Sequence, residues 1–179
     1  GLLGVSNTFT YKGVSLGFLI DARFGGKMFS GTTVAMQKSG TAAETVVNGK
    51  RDKFVVDGVI LNPNTNQYEP STIAVKPQDY WEAVGVNNIG IAEANLYDAS
   101  NVRLRNVQLS YNLPAKLFSR TPIQRASIGF SCNNVWLISS HIKGIDPESV
   151  YATGTNATGF ESGSAPTSRN YLFNLSVSF

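Results

Sequence analysis

A chain of 179 residues, 42% hydrophobic and only 15% charged, has the length of one domain and too little charge for a helix-rich water-facing surface. Fifteen basic and twelve acidic residues leave a net charge of +3 without a basic stripe, which argues against nucleic-acid binding. A single Cys and a single His exclude an internal disulfide and fall short of a zinc-ligand set, and no run of about 18 apolar residues is present to cross a membrane as a helix.

Taken in chain order, the first two-faced strand sets Val14, Leu16, Phe18 and Ile20 against Ser15, Gly17, Asp21 and Arg23. Gly25 and Gly26 read as a tight turn. Lys27 to Gln37 reads as a further strand of poor alternation, carried by the β-favouring Phe29, Thr32, Thr33 and Val34. Residues 41–100 form a long excursion, within which Phe54-Val55-Val56, Asp57-Gly58 and Val59-Ile60-Leu61 predict a hairpin with a type I′ turn. Next, Val107, Leu109, Tyr111 and Leu113 alternate with Asn106, Gln108, Ser110 and Asn112 until Pro114 stops the strand. Arg103 and Arg105 share its oily parity, so either this stretch lies beyond the apolar band or a bulge resets the phase. Ile128, Phe130 and Cys132 face away from Ser127, Gly129 and Ser131, and residues 141–169 form a second excursion. The ending is the clearest strand: Tyr171, Phe173, Leu175, Val177 and Phe179 on one side, with Asn170, Asn174, Ser176 and Ser178 on the other.

These strands are joined by connections that run short, long, short, long, the pattern of an outer-membrane barrel with tight periplasmic turns and long outer loops. With the C-terminus periplasmic, both excursions fall outside the cell. Five strands cannot close such a barrel, because an open edge in lipid leaves unpaired backbone groups, so the chain is expected to be part of a larger one. The fold class expected is all-β, with antiparallel transmembrane strands across residues 1–179 and long extracellular loops.

Six segments together resemble the C-terminal part of the SusC/RagA family of TonB-linked outer-membrane transporters. They are Tyr11-Lys-Gly-Val-Ser-Leu16, Asp21-Ala-Arg-Phe-Gly-Gly26, the run from Asp98 to Pro114, Asn133-Asn-Val-Trp136, Gly144-Ile-Asp-Pro-Glu148, and the run from Pro166 to Phe179. The resemblance implies a 22-stranded barrel with an N-terminal plug, a SusD-like surface lipoprotein as lid, an oligosaccharide or peptide substrate, and TonB acting through an N-terminal region that this chain does not contain. It implies no cofactor and no enzymatic activity.

Several residues are candidates for function. Tyr171, Phe173, Leu175, Val177 and Phe179 look like the C-terminal signal read by the barrel-assembly machinery, which works by adding a strand to an exposed edge. Tyr68, Tyr80, Trp81, Asn87, Asn88 and Tyr97 supply the aromatic faces and amides on which sugars stack and hydrogen-bond, although packing of the loop on itself uses the same residues. Trp136 and Tyr151 suit the boundary of the outer-membrane lipid. Asp146-Pro-Glu148 makes an incomplete calcium shell and reads as a turn, so no metal is expected, and Ser139, Ser140, His141 and Asp146 make no case for a catalytic triad. Two readings from other classes remain: a secreted carbohydrate-binding β-sandwich, and a passive outer-membrane pore.

Overall fold

The computed structural model describes residues 1–86, 90–149, 151 and 154–179. In chain order its strands and helices are β1 (Leu2–Tyr11), β2 (Val14–Arg23), β3 (Lys27–Ser30), α1 (Gly31–Lys38), β4 (Phe54–Val55), β5 (Val59–Asn62), β6 (Gln67–Pro70), β7 (Ala74–Val75), α2 (Pro77–Val84), β8 (Leu96–Asp98), β9 (Asn101–Asn112), β10 (Arg125–Ser140), β11 (Phe160–Glu161) and β12 (Asn170–Ser178). They fall into two compact units. The first holds Gly1–Met28, Tyr97–Ser149 and Ser164–Phe179, and the second holds Phe29–Leu96 with the described part of Val150–Gly163.

The first unit is an antiparallel sheet of five strands in the order β1-β2-β9-β10-β12. Strand lengths of 9 to 16 residues reach the roughly 9–11 that a tilted strand needs to cross a bilayer. The register lines up the oily positions across all five strands. Phe9 lies opposite Leu16, Leu16 opposite Leu109, Leu109 opposite Phe130, and Phe130 opposite Phe173. On the other face, Thr8, Gly17, Gln108, Ser131 and Leu172 form the corresponding row, with Leu172 the apolar exception. The oily face is uncovered, with Phe173 82% and Leu175 72% exposed. Burial of such side chains stabilises by roughly 1.5–3 kcal/mol each. A dozen left in water would outweigh the roughly 5–15 kcal/mol net stability of a domain, so this face calls for an apolar surround.

β1 is a strand that the sequence reading passed over. Its Leu3, Val5, Phe9 and Tyr11 join the oily face, and Asn7, opposite Phe18, is the interruption that hides the alternation. Lys12 (φ 47°) and Gly13 (φ 85°) both take the left-handed conformation that a two-residue hairpin of the I′ kind needs. The alternation of short and long connections therefore holds with different members: 12–13, 24–100, 113–124 and 141–169.

Two local expectations are corrected. The strand expected over Lys27 to Gln37 is a four-residue strand followed by a helix. Ser30 caps that helix by accepting the Thr33 amide at 3.1 Å, and Gly40 (φ 72°) closes it, with Thr41 N–H donating to the Met36 carbonyl at 2.8 Å. These caps overrule the weak β preference of two threonines and a valine. Gly25-Gly26 accordingly leads the chain out of the sheet instead of turning it back into a neighbouring strand, and the Gly25 amide donates to Ser100 Oγ at 2.8 Å. The hairpin expected at Asp57-Gly58 is also absent: β4 pairs with β7, and β5 pairs with β6. Asp57 lacks the positive φ that the turn requires, and the chain reverses after Asn62, where Asn66 (φ 52°) supplies the left-handed residue.

In the second unit α1 packs on α2, and Phe29 and Ser30 of β3 run parallel to β11. Phe29 stacks on Phe160 at 4.9 Å between ring centroids. The buried Glu161 carboxylate accepts hydrogen bonds from Ser30 Oγ (2.8 Å) and from Thr32 Oγ1, fastening residues 160–161 to the start of α1.

Candidate functional site

Arg103 and Arg105 lie where β9 leaves the regular ladder. Leu19 and Ile20 of β2 pair with Asn106 and Leu104, so Arg105 is the extra residue of a bulge. The bulge resets the phase, which decides between the two alternatives left open by the sequence. Leu104 stays in the oily row with Ile20 and Trp136, while Arg103 pairs with Asp21 and Leu137 in the polar row.

Both guanidinium groups meet the carboxylates of the Asp146-Pro-Glu148 turn. Arg103 Nη2 donates to Asp146 Oδ1 at 2.6 Å, with side chains only 5% and 8% exposed. Arg105 grips Glu148 through Nη1 (2.8 Å) and Nη2 (2.5 Å), the two-pronged geometry in which arginine binds carboxylate most strongly, and its Nε donates to Asp21 at 2.8 Å. Asn134 Oδ1 accepts a further bond from Arg105 Nη1 at 3.2 Å.

Asp146 is held from other directions as well. Its oxygens accept the Glu148 amide (3.0 Å), the Thr167 amide (2.9 Å) and the Thr167 hydroxyl, which in turn accepts Arg103 Nη1 at 2.8 Å. Burial works to raise the pKa of Asp146, but the bonds from Thr167 and Glu148 and the charge of Arg103 together hold it below the usual carboxylate range. Two cations and three carboxylates thus tie both ends of the 141–169 excursion to β2, β9 and β10. The network is a clamp, and the turn read from the sequence is its anchor. Beside it Met28, Ala99 and Ile142 form a small apolar core that also takes in Tyr97 and Ile145.

The expected substrate contacts are not gathered in one place. Tyr80 sits between Phe54 (5.3 Å) and Trp81 (5.0 Å), both edge-on, so packing occupies it. Tyr97 packs in the apolar core of the first unit, while Tyr68 stands exposed on the β5–β6 hairpin. Asn87 and Asn88 lie outside the described residues. Trp81 also borders a cleft of about 380 Å³ within the second unit, together with Gln37, Lys38, Arg51 and Lys76. The last three are cations far apart in sequence, and no reading of local pattern singled them out.

Tyr171, Phe173, Leu175 and Val177 share the oily face of edge strand β12, where Phe130 packs against Phe173 (5.1 Å) and Tyr171 (6.1 Å). Phe179 follows the strand's last residue and is exposed. Trp136 lies on the same oily face towards the excursion end of the sheet, and Tyr151 packs edge-on against Phe160 in the second unit.

No protein-family model matches the chain. TonB-dependent receptor P3 of Formosa agariphila is 26% identical over 182 residues, a match covering 99% of this chain and 16% of that receptor. Over its whole length the chain is similar to a TonB-dependent receptor. A second, TonB-dependent receptor P26 of the same organism, is 31% identical over 90 residues, 48% of this chain and 9% of the receptor. Among solved structures, the RagAB peptide transporter matches 98% of the chain with a TM-score of 0.59 and 20% identity, and the RagAB importer in its closed-closed state matches 99% with 0.62 and 19%. At that identity the likeness is one of fold, and the chain spans about 17% of each matched chain. The SusC/RagA resemblance read from the motifs is borne out.

Proposed function

We propose that this chain supplies five neighbouring strands in the wall of a TonB-dependent outer-membrane transporter, together with two excursions on its outer side. The observation that carries this reading is the register, which aligns one uncovered oily face across five strands while both edges, β1 and β12, stay open within the described residues. A sandwich would bury that face beneath a second sheet, whereas a lipid-facing wall leaves it bare and continues at both edges into further strands of a 22-stranded barrel.

In this role the transporter imports glycans or peptides beneath a SusD-like lipoprotein, and TonB acts through a region beyond this chain. The clamp of Arg103 and Arg105 on Asp146 and Glu148 fixes the second excursion at the barrel rim. Trp136 marks the outer lipid boundary, and β12 with Phe179 carries the assembly signal. Of the loop residues, Tyr68, Trp81, Asn87 and Asn88 contact substrate, while Tyr80 and Tyr97 hold the fold.

The test is uptake by cells that make the full-length protein. Growth on the transported nutrient should need this protein, a functional TonB and a surface lipoprotein that co-purifies with it. Growth that is indifferent to loss of TonB overturns the energy-coupled reading and leaves the passive pore.

A further inference from the structure

The geometry points to the cleft of the second unit as a subsite for an acidic sugar unit, held by Lys38, Arg51 and Lys76 around its anionic group, with Trp81 beneath its ring and Gln37 accepting a hydroxyl. This rests on the proposed transporter role, because it takes the 24–100 excursion to be where substrate arrives.

The cleft, about 380 Å³, falls within the roughly 300–1,000 Å³ of small-molecule sites. Among the described residues its wall brings together three cations and no carboxylate. Among the described residues neither Lys38 nor Lys76 makes an ion pair, and the Arg51 guanidinium spends one N–H on the Gly40 carbonyl at 2.6 Å, keeping the others free to donate. Like charges held together around a concave surface repel one another unless a counter-charge enters.

An independent observation concerns Gln37, 4% exposed on the wall of the same cleft. Its Nε2 donates to Glu44 at 3.0 Å, which fixes the amide orientation, and its Oε1 is buried without a hydrogen-bond partner. A buried acceptor without a donor is costly, and a ligand hydroxyl satisfies it. The Glu44 carboxylate is engaged by this Gln37 amide.

An anion, a hydroxyl donor and a flat apolar C–H face are the three things that these groups ask for, and a uronate or a sulfated sugar carries all three. Inorganic phosphate lacks the apolar face. A peptide of glutamates carries the charge but lacks the ring that stacks on an indole.

The test uses the full-length receptor, purified in detergent from outer membranes, and isothermal titration with four probes. These are chondroitin sulfate tetrasaccharide, hyaluronan tetrasaccharide, neutral chitotetraose and tetraglutamate. The two acidic sugars, or the sulfated one alone if sulfate is the recognised anion, should bind at least roughly tenfold more tightly than chitotetraose and tetraglutamate. Lys38→Gln/Lys76→Gln, changes at two exposed side chains, should weaken that binding by roughly tenfold or more at unchanged thermal unfolding. Chitotetraose or tetraglutamate binding as tightly, no acidic sugar binding at millimolar concentration, or full affinity in the double variant overturns the proposal. Failure to recover a folded barrel from the outer membrane is a different result, because it removes the transporter role itself.

Discussion

Replacing Arg103 by Met removes the most buried charge of the clamp while preserving much of the side chain's bulk. Asp146 then keeps its amide and hydroxyl donors from Glu148 and Thr167 but loses the guanidinium 2.6 Å away. Breaking a buried ion pair from one side costs about 3–5 kcal/mol, and the surviving donors place this case near the lower end. A loss of about 3 kcal/mol in the free energy of local opening corresponds to roughly a hundredfold faster exchange. Hydrogen exchange on the full-length protein in nanodiscs should show this at the Glu148 and Thr167 amides, whose acceptor is still in place, with Ile128–Cys132 in β10 unchanged. Unchanged exchange at Glu148 and Thr167, or equal acceleration throughout β10, would refute the clamp.

Four further outcomes are expected. Because the pKa of Asp146 is depressed in the folded state, its stabilising contribution is fully present above about pH 4 and is lost as the pH falls through the folded value; proteolysis within 141–169 should accelerate only there. Phe130→Arg, on the oily face, should lower barrel stability by about 2–4 kcal/mol in urea unfolding from vesicles, whereas Ser131→Arg on the opposite face should cost far less. Gly13→Val places a branched side chain at φ 85° with the Asn112 carbonyl 3.1 Å from its Cβ, and should lower stability by about 1–3 kcal/mol, read as a lower temperature for the heat-induced mobility shift. Deleting Phe179 should reduce the amount of barrel in the outer membrane, and unchanged amounts would remove the assembly signal.

The sheet was legible wherever one face is oily without interruption, as in β2, β10 and β12, because a period of two leaves an unambiguous mark. A single Asn7 hid β1, although the Lys12-Gly13 turn beside it was a second clue. α1 was obscured for a different reason: eight residues give too little periodicity, and its evidence lies in the caps at Ser30 and Gly40. The β4–β7 and β5–β6 pairs show how a plausible Asp-Gly turn loses to nested pairing that local sequence does not encode.

Contacts between distant residues were the least legible part of the site. The two arginines and the two carboxylates each stand out in the sequence, but the separation of 43 positions from Arg103 to Asp146 conceals that they are partners. A sharper reading had one signal to use, an Arg-x-Arg facing an Asp-x-Glu of matching spacing. The cleft of Lys38, Arg51 and Lys76 offered no such signal, because Lys38 ends α1, Lys76 precedes α2 and Arg51 comes from the segment before β4, where it bonds the Gly40 carbonyl.

The most direct test of the central claim is a nitroxide scan of β10 and β12 in the full-length protein, reconstituted in lipid with Cys132 replaced by Ser. Labels at Ile128, Phe130, Phe173 and Leu175 should be accessible to oxygen and shielded from a water-soluble nickel chelate, and labels at Ser127, Ser131, Asn174 and Ser176 should show the reverse. Chelate access to the oily positions, or no alternation between the two sets, would contradict a lipid-facing wall.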